Sequence, residues 1–330
     1  MIKILFVGVC FLIVSCAGAQ NKKIKSVIFD TDMGPDYDDV GAITVLHAFA
    51  DSGKVKILAT MASTKYERVA AVLNVLNTYF KKPAIPIGVP KGNAITKKDW
   101  QHWTDTLIVK YPHAIKNNNE VPDAVLLYRK ILAQQPDNSV TIITVGFLTN
   151  ISNLLQSGPD HYSALTGKDL VKKKVKLLVC MAGKFPEGNE FNIREDAKAS
   201  QYVFSHWQMP VIFSGFEIGQ KIKTGLPLIN NGAILNSPVK DVFRICIPMA
   251  KEDSAGRMSW DETAVLVGVT GYLPFYKIKA GKIEIEEDGS NTWNNTGAGQ
   301  FYLMENRPVA EVQKIINTLM MHQPRKSLKK

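Results

Sequence analysis

Apolar residues along the chain fall into short unbroken runs separated by stretches of helical spacing. Val27-Ile28-Phe29 is one such run and ends in Asp30; Val40, Ile43, Thr44, His47 and Ala48 then recur on one helical face until about Ser52, where Gly53 stops the helix. Val55 to Met61 is a second run, Thr64 to Phe80 is helical in pattern and closes at Lys81-Lys82-Pro83, and Ile85 to Val89 is a short strand. This β-α-β-α-β order predicts an α/β fold, a mostly parallel open sheet flanked by helices. Residues 90–119 lack clean periodicity. Pro122 opens a helix over 121–134, and Val140 to Val145 is a β-branched strand that runs through Gly146 into another helix. A strand over Val175 to Cys180, a loop over Lys184 to Asn192 and a helix from about Glu195 follow, then a strand at Val211-Ile212-Phe213, helical character over 240–250 and a helix from Ser259 carrying Val265, Leu266 and Val269.

The last part of the chain differs. Tyr276 to Glu286 alternates around Ala280-Gly281, which predicts a hairpin appendage. Residues 288–299 read as a loop, 301–304 as a strand and 308–321 as a final helix. With no linker and no internal repeat, residues 24–322 are expected to form a single α/β domain, and 323–330 a loose basic tail.

The 330 residues allow one large domain or two ordinary ones, and 45% hydrophobic with 21% charged residues argue against global disorder. The net charge of +10 is carried by scattered lysines and arginines with no interleaved aromatic platform, which argues for a basic surface and no nucleic-acid partner. Residues 1–19 read as a signal peptide: Lys3 is followed by an apolar run from Ile4 to Val14, too short to span a bilayer. Ile13-Val14-Ser15-Cys16 is similar to a bacterial lipobox, which would lipidate Cys16; the competing site is cleavage after Ala17-Gly18-Ala19. Either route exports the protein, to the periplasm or to a membrane reached only through the lipid. Of the other cysteines, Cys180 ends an apolar strand and Cys246 is far from it, so no disulfide framework is expected.

The densest chemistry lies just after the first strand. Asp30, Asp32, Asp36, Asp38 and Asp39 fall within ten residues, broken by Gly34 and Pro35. Carboxylates crowded at a buried strand end repel one another and are costly to dehydrate. A hard cation would relieve that cost with an oxygen shell; the alternative is a solvated loop with Asp36 or Asp38 capping the helix. Ligand sites form at strand ends in α/β chains, which favours the metal. In residues 90–119, Trp100, His102, Trp103, Tyr111 and His113 either overhang such a site or tuck their rings against the body.

Asp30-Thr31-Asp32-Met33-Gly34 followed by Asp38-Asp39 resembles the amino-terminal motif of the inosine-uridine-preferring nucleoside hydrolase family, calcium-dependent enzymes that cleave the N-glycosidic bond of ribonucleosides. Two extra residues separate the second motif Asp from the pair. Three more stretches match in order: Leu148-Thr149-Asn150 after a strand, Glu190-Phe191-Asn192 before a helix, and Asp261 at a helix start. The resemblance implies that Asp32 binds Ca²⁺ and is the general base, that Asp39, Asp261 and the Thr149 carbonyl complete the protein ligands, and that Asp38, Glu190 and Asn192 hold ribose hydroxyls with Asn189 as a third. It implies a supporting role for Asp30 and leaves Asp36, within the insertion, open. Two positions depart from the pattern. Trp260 stands where the family has a His that helps the base leave; it could stack on the base but cannot shuttle a proton. Met61-Ala62-Ser63 stands where Gly-Asn is usual, and Ser63 reaches less far. The activity implied is hydrolysis of a nucleoside or related riboside, with a homo-oligomer compatible. A non-catalytic, calcium-containing nucleoside- or sugar-binding lipoprotein is the alternative, and a phosphatase built on Asp30 and Asp32 ranks last.

Overall fold

The computed structural model describes residues 24–324. The leader with Cys16 and the basic tail from residue 325 lie outside the described residues. β1 (Lys25–Thr31) is buried from Val27 onward, as a central parallel strand covered on both faces must be. Its side chains alternate: Val27 and Phe29 enter one hydrophobic core, Ile28 the other. Around it lie β2 (Val55–Ala62), β3 (Ile87–Gly88), β4 (Val140–Thr144), β5 (Val175–Met181), β6 (Glu187–Asn189) and β7 (Val211–Ser214), then β10 (Tyr276–Ile285), β11 (Ser290–Asn294) and β12 (Gln300–Glu305). The ten strands run β3-β2-β1-β4-β5-β7-β12-β10-β11-β6; pairs from β3 to β12 are parallel, and β10, β11 and β6 pair antiparallel at one end. A separate two-stranded ribbon joins β8 (Lys223–Thr224) to β9 (Arg257–Met258). The mostly parallel sheet flanked by helices is thus as expected.

One core packs the helices Asp38–Asp51, Val69–Tyr79, Trp260–Thr270 and Val309–Met320 on the sheet; the other packs Ala124–Ala133, Thr149–Gln156 and Ala197–His206. Among the described residues no helix is long and apolar enough to cross a membrane.

Several local expectations shift. Ala280-Gly281 is no turn. β10 runs straight through it and changes partner there, pairing with β12 up to Gly281 and with β11 from Lys282. A Cβ on Gly281 would collide with the Trp293 indole, so the glycine serves close packing. The hairpin turn lies at Glu286–Gly289, where Gly289 takes φ +81°, and residues expected as loop supply β11. The helix expected from Thr64 begins at Val69, because Lys65 N–H and the Thr64 hydroxyl bond Ile95 carbonyl and hold that stretch to the segment beyond β3. That segment contains the helix Trp103–Lys110, with Trp103 and Tyr111 buried in the core and Trp100 exposed.

Candidate functional site

The strand order reverses direction between β1 and β4: β2 and β3 lie on one side of β1, and β4, β5 and β7 on the other. Chains leaving neighbouring strand ends diverge at such a point and open a crevice. The acidic stretch sits at its lip. Asp30, the first of these acids and fully buried, accepts from the Tyr128 hydroxyl at 2.8 Å and from Asn150 Nδ2, 3.2 Å from each oxygen. Burial nevertheless raises its pKa to about 7, against the pull of those hydrogen bonds. Asn150 also donates to the Ala62 carbonyl at 2.7 Å, tying the ends of β1 and β2 to the turn after β4.

Asp32 follows with its side chain buried and Oδ2 without a hydrogen-bond partner among the described residues. The turn after β4 comes down on it at Gly146, where a Cβ would overlap Asp32 N and Cβ and the Ser63 Oγ. Ser63 is buried there and its hydroxyl too has no partner. Asp38 and Asp39 open the helix Asp38–Asp51, where the helix dipole favours negative charge. Asp39 accepts from the Thr31 hydroxyl through Oδ1, while its buried Oδ2 has no partner. Asp261, in the first turn of Trp260–Thr270, lies beside them. Burial, then mutual repulsion, pushes the Asp32 and Asp261 carboxyls well above the ordinary range. Burial raises Asp39 as well.

Asp38 is held differently. Its Oδ1 accepts from Arg257 Nε at 3.1 Å and Nη2 at 2.8 Å, and its Oδ2 from Asp261 N–H at 3.3 Å. Nη2 also pairs with Asp36, the residue of the insertion whose role the sequence left open. The guanidinium lies between the rings of Tyr37 and Trp260, 4.8 and 5.1 Å from their centroids, and the Tyr37 hydroxyl donates to Asp253 at 2.6 Å. Arg257 was missed by sequence reasoning: one arginine in β9 has no spacing that would link it to an acid 219 residues away.

Glu190 caps the helix Phe191–Glu195. It accepts from Asn192 N at 2.8 Å and from Ile193 N and Gly183 N at 3.1 Å each. Asn192 Nδ2 donates to the carbonyls of Val145 (3.0 Å) and Met181 (3.2 Å), which binds the ends of β4 and β5 together. Thr149 opens its helix and donates to Asp196 at 2.7 Å. Asn189 is exposed and accepts from Arg194 at 2.9 Å. Trp260 stacks on Phe216, ring centroids 5.2 Å apart, and its only N–H goes to the Phe216 carbonyl at 2.9 Å.

These elements enclose a cavity of about 440 Å³. Asp32, Asp36, Asp38 and Asp261 form an acidic floor; Glu190 and Asn192 face it; Phe191, Phe216, Trp260 and the exposed Trp100 supply aromatic walls; Lys97 and Lys98 stand at the rim. Of the residues singled out from sequence, Asp32, Asp38, Glu190, Asn192, Trp260 and Asp261 line it. Asp39, Thr149, Ser63 and Asn189 do not. From residues 90–119 only Lys97, Lys98 and Trp100 reach it, and neither His102 nor His113 does. Among the described residues no three His, Cys, Asp or Glu side chains are already gathered as a metal shell. The donor set still fits a hard cation. Two buried carboxylate oxygens, on Asp32 and Asp39, have no donor, and positive charge is what both lack.

The family model described as inosine-uridine preferring nucleoside hydrolase matches residues 27–321. The inosine-uridine preferring nucleoside hydrolase of Crithidia fasciculata is 25% identical over 199 residues, 57% of this chain and 59% of that protein, so this match leaves over a third of the relative uncovered. A pyrimidine-specific ribonucleoside hydrolase of Salmonella dublin is 24% identical over 314 residues, 87% of this chain and 92% of the relative. The crystal structure of an inosine-uridine preferring nucleoside hydrolase from Bacillus anthracis superposes with a TM-score of 0.68 at 16% identity, covering 90% of this chain and 99% of the other, a likeness of fold. With the family model spanning nearly the whole described chain, the protein belongs to the inosine-uridine preferring nucleoside hydrolase family, whose members are N-glycosyl hydrolases.

Proposed function

We propose that the chain hydrolyses the N-glycosidic bond of ribonucleosides or a related riboside, giving free base and ribose, with calcium in the acidic cleft and Asp32 as general base. The observation that carries this reading is the pair of unpartnered, buried oxygens on Asp32 and Asp39, below a cavity whose opposite wall is Glu190 and Asn192. Calcium, held by Asp32, Asp39, Asp261 and the Thr149 carbonyl, would supply the positive charge that acidifies water at neutral pH. Breaking an N-ribosidic bond develops oxocarbenium character at C1′, so a base must take a proton from water on one face while the sugar is gripped. Asp32 takes that proton. The Gly146 turn fixes its backbone. Asp38, Glu190 and Asn192 grip ribose hydroxyls. Each is already immobilised by its own hydrogen bonds, so little side-chain freedom is lost on binding. The non-catalytic binder is not favoured by the family, whose curated relatives are hydrolases.

The pyrimidine specificity of one relative makes uridine the first substrate to try. Protein lacking residues 1–19 is incubated with uridine, cytidine, inosine and adenosine, with calcium or with chelator, beside Asp32→Asn. Calcium-dependent ribose release lost in the mutant supports the reading; no release from any nucleoside by calcium-loaded protein rejects it. We further propose export with lipid attachment at Cys16. Mass spectrometry of the mature amino terminus tests this, and a free amino terminus at Gln20 would overturn it.

A further inference from the structure

We propose that the Arg257 guanidinium carries the charge of the departing base, the task Trp260 is unable to perform. This deepens the hydrolase reading above and rests on it. The rings that line this cavity and can take a heterocycle are Phe191, Phe216, Trp260 and Trp100, and Phe216 and Trp260 stand together beside the acidic floor. Trp260 has one N–H and has committed it to Phe216 carbonyl. Among the described residues no His, Tyr or Cys lines the cavity. Apart from the floor, its charged donors are Lys97, Lys98 and Arg257. Lys97 is turned to Glu195 at 2.7 Å, beside Phe191 on the Glu190 side. Lys98 is exposed at the mouth. Arg257 alone shares the Trp260 wall, 5.1 Å from that ring.

Its nitrogens are unequally occupied. Nε and Nη2 are spent on Asp38 and Asp36. Among the described residues Nη1 makes no hydrogen bond; it forms a longer ion pair with Asp253, at 3.6 Å. Burial lowers the Arg257 pKa only to about 10, so the group stays charged at neutral pH. An arginine does not give up its proton to a base at that pH. It therefore stabilises an anion rather than protonating one, and the favoured leaving groups are bases that spread negative charge onto a carbonyl oxygen, as a uracil-type pyrimidine does. In the step, the C1′–N bond breaks with its electron pair going to the base nitrogen. The water oxygen bonds C1′ and its proton passes to Asp32. The base anion, paired with Arg257, takes a proton from solvent after release.

The test compares two ribosides in the calcium-loaded protein: uridine, whose base needs help to leave, and para-nitrophenyl riboside, whose phenolate does not. Arg257→Met is expected to lower kcat/KM for uridine about 100-fold more than for the nitrophenyl riboside, with Arg257→Lys in between. Equal losses on both substrates, in either variant, overturn the proposal, because Arg257 would then act only by positioning Asp38. A ratio that moves in Lys98→Met and not in the Arg257 variants overturns it as well. If wild-type protein releases ribose from neither compound, the hydrolase reading fails, and this proposal falls with it.

Discussion

Asn150 Nδ2 stands 3.2 Å from both carboxylate oxygens of Asp30, a buried amide facing a buried acid squarely from the helix after β4. Asn150→Leu keeps the volume and removes the donor. Asp30 would keep only Tyr128 as a side-chain donor, and the Ala62 carbonyl would lose its side-chain donor. The expected cost is about 2–3 kcal/mol of unfolding free energy, measured by urea denaturation. A loss below about 0.5 kcal/mol would mean that Asn150 contributes little to holding the strand ends.

The unpartnered oxygens of Asp32 and Asp39 predict a trade of stability for function. At pH 8, without calcium, Asp39→Asn is expected to melt about 2–4 °C above wild type, because a buried charge with one oxygen left unpartnered is gone. Calcium should raise the wild-type Tm and leave the variant's unmoved. Scanning calorimetry with and without calcium decides both points.

Gly146→Ala drives a methyl group into Asp32 and Ser63. The turn must retreat, and Asp32 moves with it. Ribose release is expected to fall about 100-fold, the usual scale for a small misplacement at the reacting atom, while far-ultraviolet circular dichroism stays the same. An active Gly146→Ala would show that the close approach is not needed.

His47 is buried far from the crevice, stacked on Phe80 with centroids 4.5 Å apart and bonded to Asn77 at 3.0 Å. Burial depresses its pKa to about 3. The folded protein therefore keeps the ring neutral while the unfolded chain takes a proton below its ordinary 6.5, so this contribution to stability is lost as pH falls from about 6.5 toward 3. Between pH 6.5 and 5, wild type should lose about 2 kcal/mol more than His47→Gln. Parallel pH profiles for the two proteins would contradict the assignment.

Local chemistry was legible in the sequence and distant chemistry was not. Asp30 to Asp39 could be read because ten consecutive residues hold all five acids at the end of one strand. Glu190 and Asn192 could be read because loop, acid and helix adjoin. Arg257 reaches Asp38 and Asp36 only once β9 has folded back over the crevice, and nothing near it in the chain announces that. Ala280-Gly281 misled for the same reason. A glycine within an alternating strand reads as a turn, and the ring that needs its missing Cβ is Trp293, in a stretch that read as loop.

β10 changing partner at Gly281 also bears on the order in which the molecule is completed. Beyond that point it carries β11, and β11 carries β6, the strand immediately before Glu190. Asn291 seals the same loop, accepting from Lys184 N at 3.0 Å and donating to its carbonyl at 2.9 Å. The wall facing the acidic floor thus waits on chain synthesised about a hundred residues later. The amino-terminal strands leave the ribosome before that chain exists, while a domain folds as a unit. The cleft is complete only when β11 is in place, and a nascent chain that stops short of β11 would lack the strand that holds the bank opposite its cluster of acids.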